Sequence, residues 1–96
     1  METKVNIKLL GVLRGVSGKS LISLRLEKST VKAMIQKLAD SLPQEARKLF
    51  LDSDLNYLGP NMLILVNGKE ISALKGLETE IKEDDKVVVI PVSHGG

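Results

Sequence analysis

The sequence predicts an α+β fold in which a mixed sheet of four to five strands carries one main helix across it. Three observations predict it. Residues 4–9 and 22–27 alternate apolar and polar side chains at the two-residue period of half-buried strands. Residues 31–42 place apolar side chains three and four apart, which puts them on one helical stripe. The apolar run 62–66 leads into Asn67-Gly68, the strongest short signal for a tight hairpin turn, and a β-branched run follows at 87–90.

In the first strand Val5, Ile7 and Leu9 share one face, and Lys4, Asn6 and Lys8 the other. Gly11, Gly15 and Gly18 are expected to bracket a loop, after which Ile22, Leu24 and Leu26 alternate with Ser23, Arg25 and Glu27. The first two strands therefore read as a hairpin. Ser29-Thr30 supplies a helix N-cap, because a hydroxyl oxygen accepts from the free amides of a first turn. Val31, Met34, Ile35, Leu38 and Leu42 then form the buried stripe, and Pro43 ends the helix. A shorter helical piece from 44 to about 51 puts Ala46, Leu49 and Phe50 inward, and residues 52–61, with Gly59-Pro60, read as a loop.

Strands three and four pair through Asn67-Gly68, the fourth running Lys69-Glu70-Ile71. Residues 74–77 cross over, 78–85 are polar, and Val87-Val88-Val89-Ile90 is the last strand, its ladder limited by Pro91. If the first and last strands lie side by side they run parallel, since the helix and second hairpin lie between them. The order strand, strand, helix, strand, strand, strand is that of the β-grasp fold. It assigns residues 1–92 to the folded domain and 93–96 to a flexible tail.

Composition excludes more than it proposes. Ninety-six residues support a single core, and 43% hydrophobic with 27% charged residues is the balance of a folded soluble chain. With no Cys and one His there is no disulfide framework, thiol nucleophile or Cys/His zinc cluster, and neither a bound metal nor a bound cofactor is expected. Fourteen Lys and Arg against 12 Asp and Glu leave a net charge of only +2, scattered along the chain, and Phe50 and Tyr57 are the only aromatics available for base stacking. Both are expected to pack in core or loop. The acidic pairs Asp84-Asp85, Glu78/Glu80 and Asp52/Asp54 read as solvated turn residues. Lys19-Ser20 and Ser53 lack an activating partner, and the glycines at 11, 15 and 18 precede a strand where a phosphate loop would precede a helix. The amino terminus has no apolar signal segment, so the expected location is the cytoplasm.

What remains is the carboxyl end. Gly95-Gly96 has no Cβ atoms, so it can thread a narrow channel and present an unhindered carboxylate to an activating enzyme. Through Val66-Asn67-Gly68-Lys69, Glu83-Asp84-Asp85-Lys86-Val87 and Pro91-Val92-Ser93-His94-Gly95-Gly96, the chain resembles the ubiquitin-like sulfur carriers and modifiers over almost its whole length. These include the small subunit of molybdopterin synthase (MoaD), the thiamine-pathway carrier (ThiS), the ubiquitin-related modifier and the small archaeal modifier proteins. The family often has Asp-Gly-Asp before the last strand, where this chain has Asp84, a residue that tolerates the left-handed region better than most. The tail is mixed: Pro91-Val92 resembles the molybdopterin synthase subunit, and His94-Gly95-Gly96 the ubiquitin-related modifier.

The resemblance implies that an E1-like enzyme adenylates the Gly96 carboxylate with ATP and that sulfur or a thiol then displaces AMP, giving a thiocarboxylate or thioester. Sulfur would then pass to a molybdenum-cofactor precursor or a transfer RNA uridine, the acceptor enzyme being the molybdopterin synthase large subunit or a tRNA thiolase. The other implied outcome is an isopeptide bond to a target lysine. The chain is expected to be a protein co-substrate and not itself an enzyme, with Val92 and His94 among the residues that bind the partner and His94 hydrogen-bonding inside its channel.

Strand parity points independently to a docking face. A two-residue turn pairs Val66 with Lys69, Leu65 with Glu70 and Ile64 with Ile71, which puts Ile64 and Ile71 in the core and Leu65 outward. Lys86 marks the outer face of the last strand, so Val87 and Val89 go in. Leu63, Leu65, Val88 and Ile90 are left apolar on the face away from the helix, and such a patch marks a protein interface unless the second helix or the 52–61 loop covers it. The alternative reading is a non-enzymatic interaction domain, nucleic-acid binding included.

Overall fold

The computed structural model describes residues 2–50 and 62–91, except for the side chains of Leu49 and Phe50. Along the chain run β1 (Thr3–Leu9), α1 (Gly11–Ser17), β2 (Leu21–Leu26), α2 (Val31–Ser41), α3 (Gln44–Phe50), β3 (Met62–Val66), β4 (Lys69–Glu70) and β5 (Asp85–Pro91), with two 3₁₀ turns at Ile71–Ala73 and Gly76–Glu78. The five strands form one sheet in the order β2-β1-β5-β3-β4. β1 pairs antiparallel with β2 and parallel with β5, while β5 pairs antiparallel with β3. This is the expected β-grasp arrangement, with the first and last strands adjacent at its centre.

Alternation sorts the sheet into two faces. Val5, Ile7 and Leu9 of β1, Ile64 of β3, and Val87 and Val89 of β5 are buried beneath α2, whose Val31, Met34, Ile35 and Leu38 face them in one core. Removing any of these large side chains costs about 2–5 kcal/mol, because the site collapses only in part around the cavity. The N-cap is Thr30, whose Oγ1 accepts from the Ala33 amide at 3.2 Å. α2 stops at Ser41, two residues before Pro43, and α3 packs against α1 and α2 with Ala46 fully buried.

The predicted turn forms as the sequence requires. Asn67 and Gly68 both adopt positive φ, 51° and 87°, and pair Val66 with Lys69 and Leu65 with Glu70. β4 is one residue shorter than expected, because Ile71 leaves the ladder to start a 3₁₀ turn while its side chain stays in the core. β5 is longer than the predicted four residues and keeps Pro91 paired with Met62.

The segment between β1 and β2 corrects the expectation of a loop. Gly11 and Gly18, at φ 60° and 74°, stand at the two ends of α1, and the Gly18 amide closes the last turn on the Arg14 carbonyl at 3.0 Å. Here the glycines punctuate a helix, since αL glycine is a common helix terminator. Leu13 is fully buried and Val16 packs against the core, so α1 closes the core beside α3 and β5. β1 and β2 are paired as predicted, but through a helix and not a hairpin loop. Gly18-Lys19-Ser20 still leads into a strand, so the order of a phosphate loop is absent.

The polar stretch 78–85 also contributes to the core. Ile81 is buried because its amide bonds the Ser29 carbonyl at 2.8 Å, and the adjoining Thr79 carbonyl accepts from the Val31 amide at 2.9 Å. These contacts stitch the crossover to the N-terminus of α2. No helix among the described residues is long and apolar enough to cross a membrane.

Candidate functional site

The outer face of β3 and β5 holds the apolar quartet that parity predicts. Leu63 lies opposite Ile90 and Leu65 opposite Val88, so the four side chains form two adjacent cross-strand pairs on one surface. Leu63 is 39% exposed, and Leu65, Val88 and Ile90 are partly buried by one another and by neighbouring strands. Their alternate neighbours Met62, Ile64, Val66, Val87 and Val89 are all buried on the helix side. α3 belongs to that helix layer and therefore leaves the quartet uncovered. The 52–61 loop lies outside the described residues, as does Tyr57.

Charge borders the quartet on both sides. Toward the sheet centre, Lys8 of β1 stands beside Val88 and Asn6 beside Lys86, with both lysines exposed. Toward the edge, Glu70 pairs with Leu65. Its carboxylate accepts from the Ser72 hydroxyl and from the Ser72 amide, the latter at 3.0 Å. The hydroxyl bond first, and the backbone bonds with it, hold the Glu70 carboxyl below its ordinary value, so it stays charged at neutral pH.

The start of β5 is clamped in the region where the chain departs from the Asp-Gly-Asp pattern. Asp84 has φ 63°, the left-handed conformation that Asp tolerates better than most residues. Its amide bonds the Lys4 carbonyl at 2.9 Å, and Asp85 accepts from the Lys82 amide at 2.8 Å and from Asn67 Nδ2 at 3.0 Å. Asn67 in turn accepts from the Lys86 amide at 3.0 Å, which ties the β3–β4 turn to β5. Asp84 and Glu78 are thus exposed turn residues, as predicted, while Asp85 is a structural acceptor.

The end of β5 is equally constrained. Pro91 is paired with Met62 on one side, and on the other the Leu10 amide donates to the Val89 carbonyl at 3.2 Å. Gly11 follows directly, and a Cβ built there would lie 3.2 Å from Pro91 Cγ. Beyond Pro91 the sequence continues for five residues to Gly96, a reach of at most about 18 Å when extended. Val92, His94, Gly95 and Gly96 lie outside the described residues. The structure therefore brings together four of the eight candidate residues and fixes the point from which the other four depart. Among the described residues no group of three or more acidic or histidine side chains is placed to hold a metal ion.

Two features were not anticipated from the sequence: the cap that α1 places beside the end of β5, and the burial of Ile81. The positive φ of Gly11 carried a signal only in its residue type, while the contact with Pro91 joins positions 80 residues apart.

Comparisons with known proteins bear on the whole chain. The model of the ThiS family matches residues 7–96, through both terminal glycines. A ubiquitin-related modifier 1 homolog of Bombyx mori is 36% identical over 67 residues, covering 70% of this chain, which spans only 60% of that protein's length. A protein of Archaeoglobus fulgidus assigned as a sulfur carrier is 36% identical over 70 residues, covering 73% of this chain and 77% of that one. Among solved structures, small archaeal modifier protein 1 from Methanosarcina acetivorans superposes with a TM-score of 0.82 at 29% identity, covering 100% of this chain and 99% of that one.

Proposed function

The chain belongs to the ThiS family of ubiquitin-like sulfur carriers and modifiers, and on that premise we propose that its reactive group is the carboxylate of Gly96. The observation that carries the reading is the extent of the family match, which spans residues 7–96 and so includes Gly95-Gly96. A carboxylate is a poor electrophile. Attack of its oxygen on the α-phosphorus of ATP, within an E1-like partner, releases pyrophosphate and leaves an acyl adenylate whose AMP is a good leaving group. A sulfur nucleophile on the partner side then adds to the carbonyl and expels AMP, giving a thiocarboxylate or a thioester.

The rest of the chain serves that step by placement. Residues 1–92 act as the rigid body and 93–96 as the tail, with Val92 and His94 lining the path inside the partner. Leu63, Leu65, Val88 and Ile90 are the docking anchors. An interface of the usual size buries about 800 Å² per partner, of which a few apolar anchors carry most of the energy. ATP is bound by the partner, and the chain is its co-substrate. Downstream, the activated carboxyl either gives sulfur to a molybdenum-cofactor or tRNA-thiolation enzyme or is conjugated to a lysine, in the cytoplasm.

The docking assignment is tested by Leu65→Glu and Ile90→Glu. Both variants are expected to weaken binding to the E1-like partner at least tenfold while their thermal melts stay within a few degrees of wild type. Unfolding of both variants, with unchanged affinity in the fraction that remains folded, would show that these side chains belong to the core and not to an interface.

A further inference from the structure

We propose that the outer face of β2, β1 and the start of β5 is a cationic extension of the docking surface, which receives a strip of carboxylates on the protein that binds Leu63, Leu65, Val88 and Ile90. The inference rests on the reading of that quartet as the docking face for the E1-like partner.

Along the sequence the basic residues are scattered, and the whole chain carries a net charge of only +2. Folding gathers four of them. The antiparallel register sets Lys4 opposite Arg25, Asn6 opposite Ser23 and Lys8 opposite Leu21, and the parallel register sets Lys86 beside Asn6 and Val88 beside Lys8. Because side chains alternate, Lys4, Lys8, Arg25 and Lys86 all stand on the face away from α2, while Val5, Ile7, Leu9, Val87 and Val89 are buried beneath it. Lys8, Arg25 and Lys86 are exposed, and Lys4 is partly so.

No carboxylate answers these cations within the three strands. Asp85, the one acid in β1, β2 and β5, has the opposite parity and accepts from the Lys82 amide and from Asn67 Nδ2. Glu2, Glu27 and Asp84 lie beyond the strand ends, and Glu83 accepts from the Lys4 backbone amide at 3.0 Å. Lys4 directly opposite Arg25 is a pair of like charges, which destabilises an antiparallel ladder. An anionic partner turns the same pair into an attraction.

Position decides which anion fits. Lys8 stands beside Val88, and Lys86 precedes Val88 by two residues on the same strand face, so the cations run directly into the apolar quartet. A phosphate backbone would cover the cations and leave the apolar half bare, and the five strands hold no aromatic side chain on which a base could stack. A protein surface with an apolar centre and carboxylates along one flank covers both halves. Charges at the rim of such an interface act chiefly on encounter, steering the right partner in and repelling those of the wrong sign.

The experiment is stopped-flow association of the carrier with the E1-like enzyme of its source organism at several salt concentrations. Lys8→Glu/Lys86→Glu reverses the two cations nearest the quartet. Lys32→Glu/Lys48→Glu makes the same change at exposed positions of α2 and α3, so both double variants carry a net charge of −2 where wild type carries +2. Thermal melts check the fold, and Lys8→Gln/Lys86→Gln takes the place of the reversed pair if that variant does not fold.

The Lys8/Lys86 reversal should slow association about tenfold or more at about 50 mM NaCl, and the gap should close to about twofold at about 500 mM as salt screens the charges. Dissociation should change less than association. The Lys32/Lys48 control should stay within about threefold of wild type throughout, because its charges lie on the other layer. An unchanged association rate in the Lys8/Lys86 variant, or an equal loss in the control, overturns the cationic strip while leaving the apolar docking face standing. Binding of wild type to a transfer RNA transcript that the Lys8/Lys86 reversal abolishes, with enzyme association unaffected, assigns the strip to phosphate and overturns the carboxylate partner. Absence of any association of wild type with the enzyme overturns the docking reading and the strip with it.

Discussion

Asp84 shows how far a single backbone angle can be argued from residue type. At φ 63° an L-residue brings its Cβ close to the following carbonyl oxygen, a cost of about 1–2 kcal/mol that Asp, Asn and Gly avoid in part or entirely. The position is held there by the bond from its amide to the Lys4 carbonyl, which joins the start of β5 to the start of β1. Asp84→Gly should therefore change stability by less than about 1 kcal/mol, since relief of strain offsets the extra freedom of the unfolded chain. Asp84→Val, β-branched and without a local hydrogen bond, should lose about 1–2 kcal/mol or more. Urea denaturation of the three proteins distinguishes these outcomes, and equal stability of the Val and Gly variants would contradict the conformational account.

At the scale of elements, the short turn after β4 depends on a charged group. Glu70 caps it by accepting from the Ser72 hydroxyl and amide, and these bonds favour the ionised carboxylate. A carboxyl whose pKa is lowered by folding contributes stability that is fully present above its unfolded value, near the ordinary 4.5, and is lost as pH falls through the lower folded value. The stability difference between wild type and Glu70→Gln should be constant above about pH 5.5 and shrink as the pH drops below about 4.5. Denaturant titrations at several pH values measure it, and a difference that does not change with pH would remove the cap from the account.

Which elements were legible in the sequence follows the range of the forces that make them. Thr30, Asn67-Gly68, the alternation in β1 and the β-branched run of β5 are patterns within a few residues of chain, so they are local and were readable. α1 buries only Leu13 and packs Val16 beside it, two positions that are too few to establish a helical period, and its end glycines imitate a loop. Ile81 stands alone in a polar stretch and is buried because its amide reaches Ser29, a contact 52 positions away in sequence that no local pattern encodes. The apolar quartet was readable because parity fixes faces, and Gly95-Gly96 because two glycines are a motif in themselves. The seating of Pro91 against Gly11 appears only once β1 and β5 are laid side by side.

For the whole molecule, the account is that a rigid β-grasp body docks through one sheet face and delivers Gly96 at a fixed distance. The family match and the superposition on small archaeal modifier protein 1 both extend over nearly the entire chain, so body and tail are read as one unit. Such a device is sensitive to tail length and insensitive to much else. Deleting Gly96, or adding one residue after it, moves the carboxylate by about 3.3 Å relative to the docked body, far beyond the 1 Å that already costs about a hundredfold. The measurement is intact-protein mass spectrometry after incubation with the E1-like partner, ATP and a sulfur donor. Wild type should gain the mass difference of one oxygen replaced by sulfur, or a covalent adduct to the partner, while both tail variants keep their fold and their starting mass. Conversion of the Gly96 deletion as fast as wild type would contradict the central claim, because the terminal carboxylate would then not be the group that the fold exists to place.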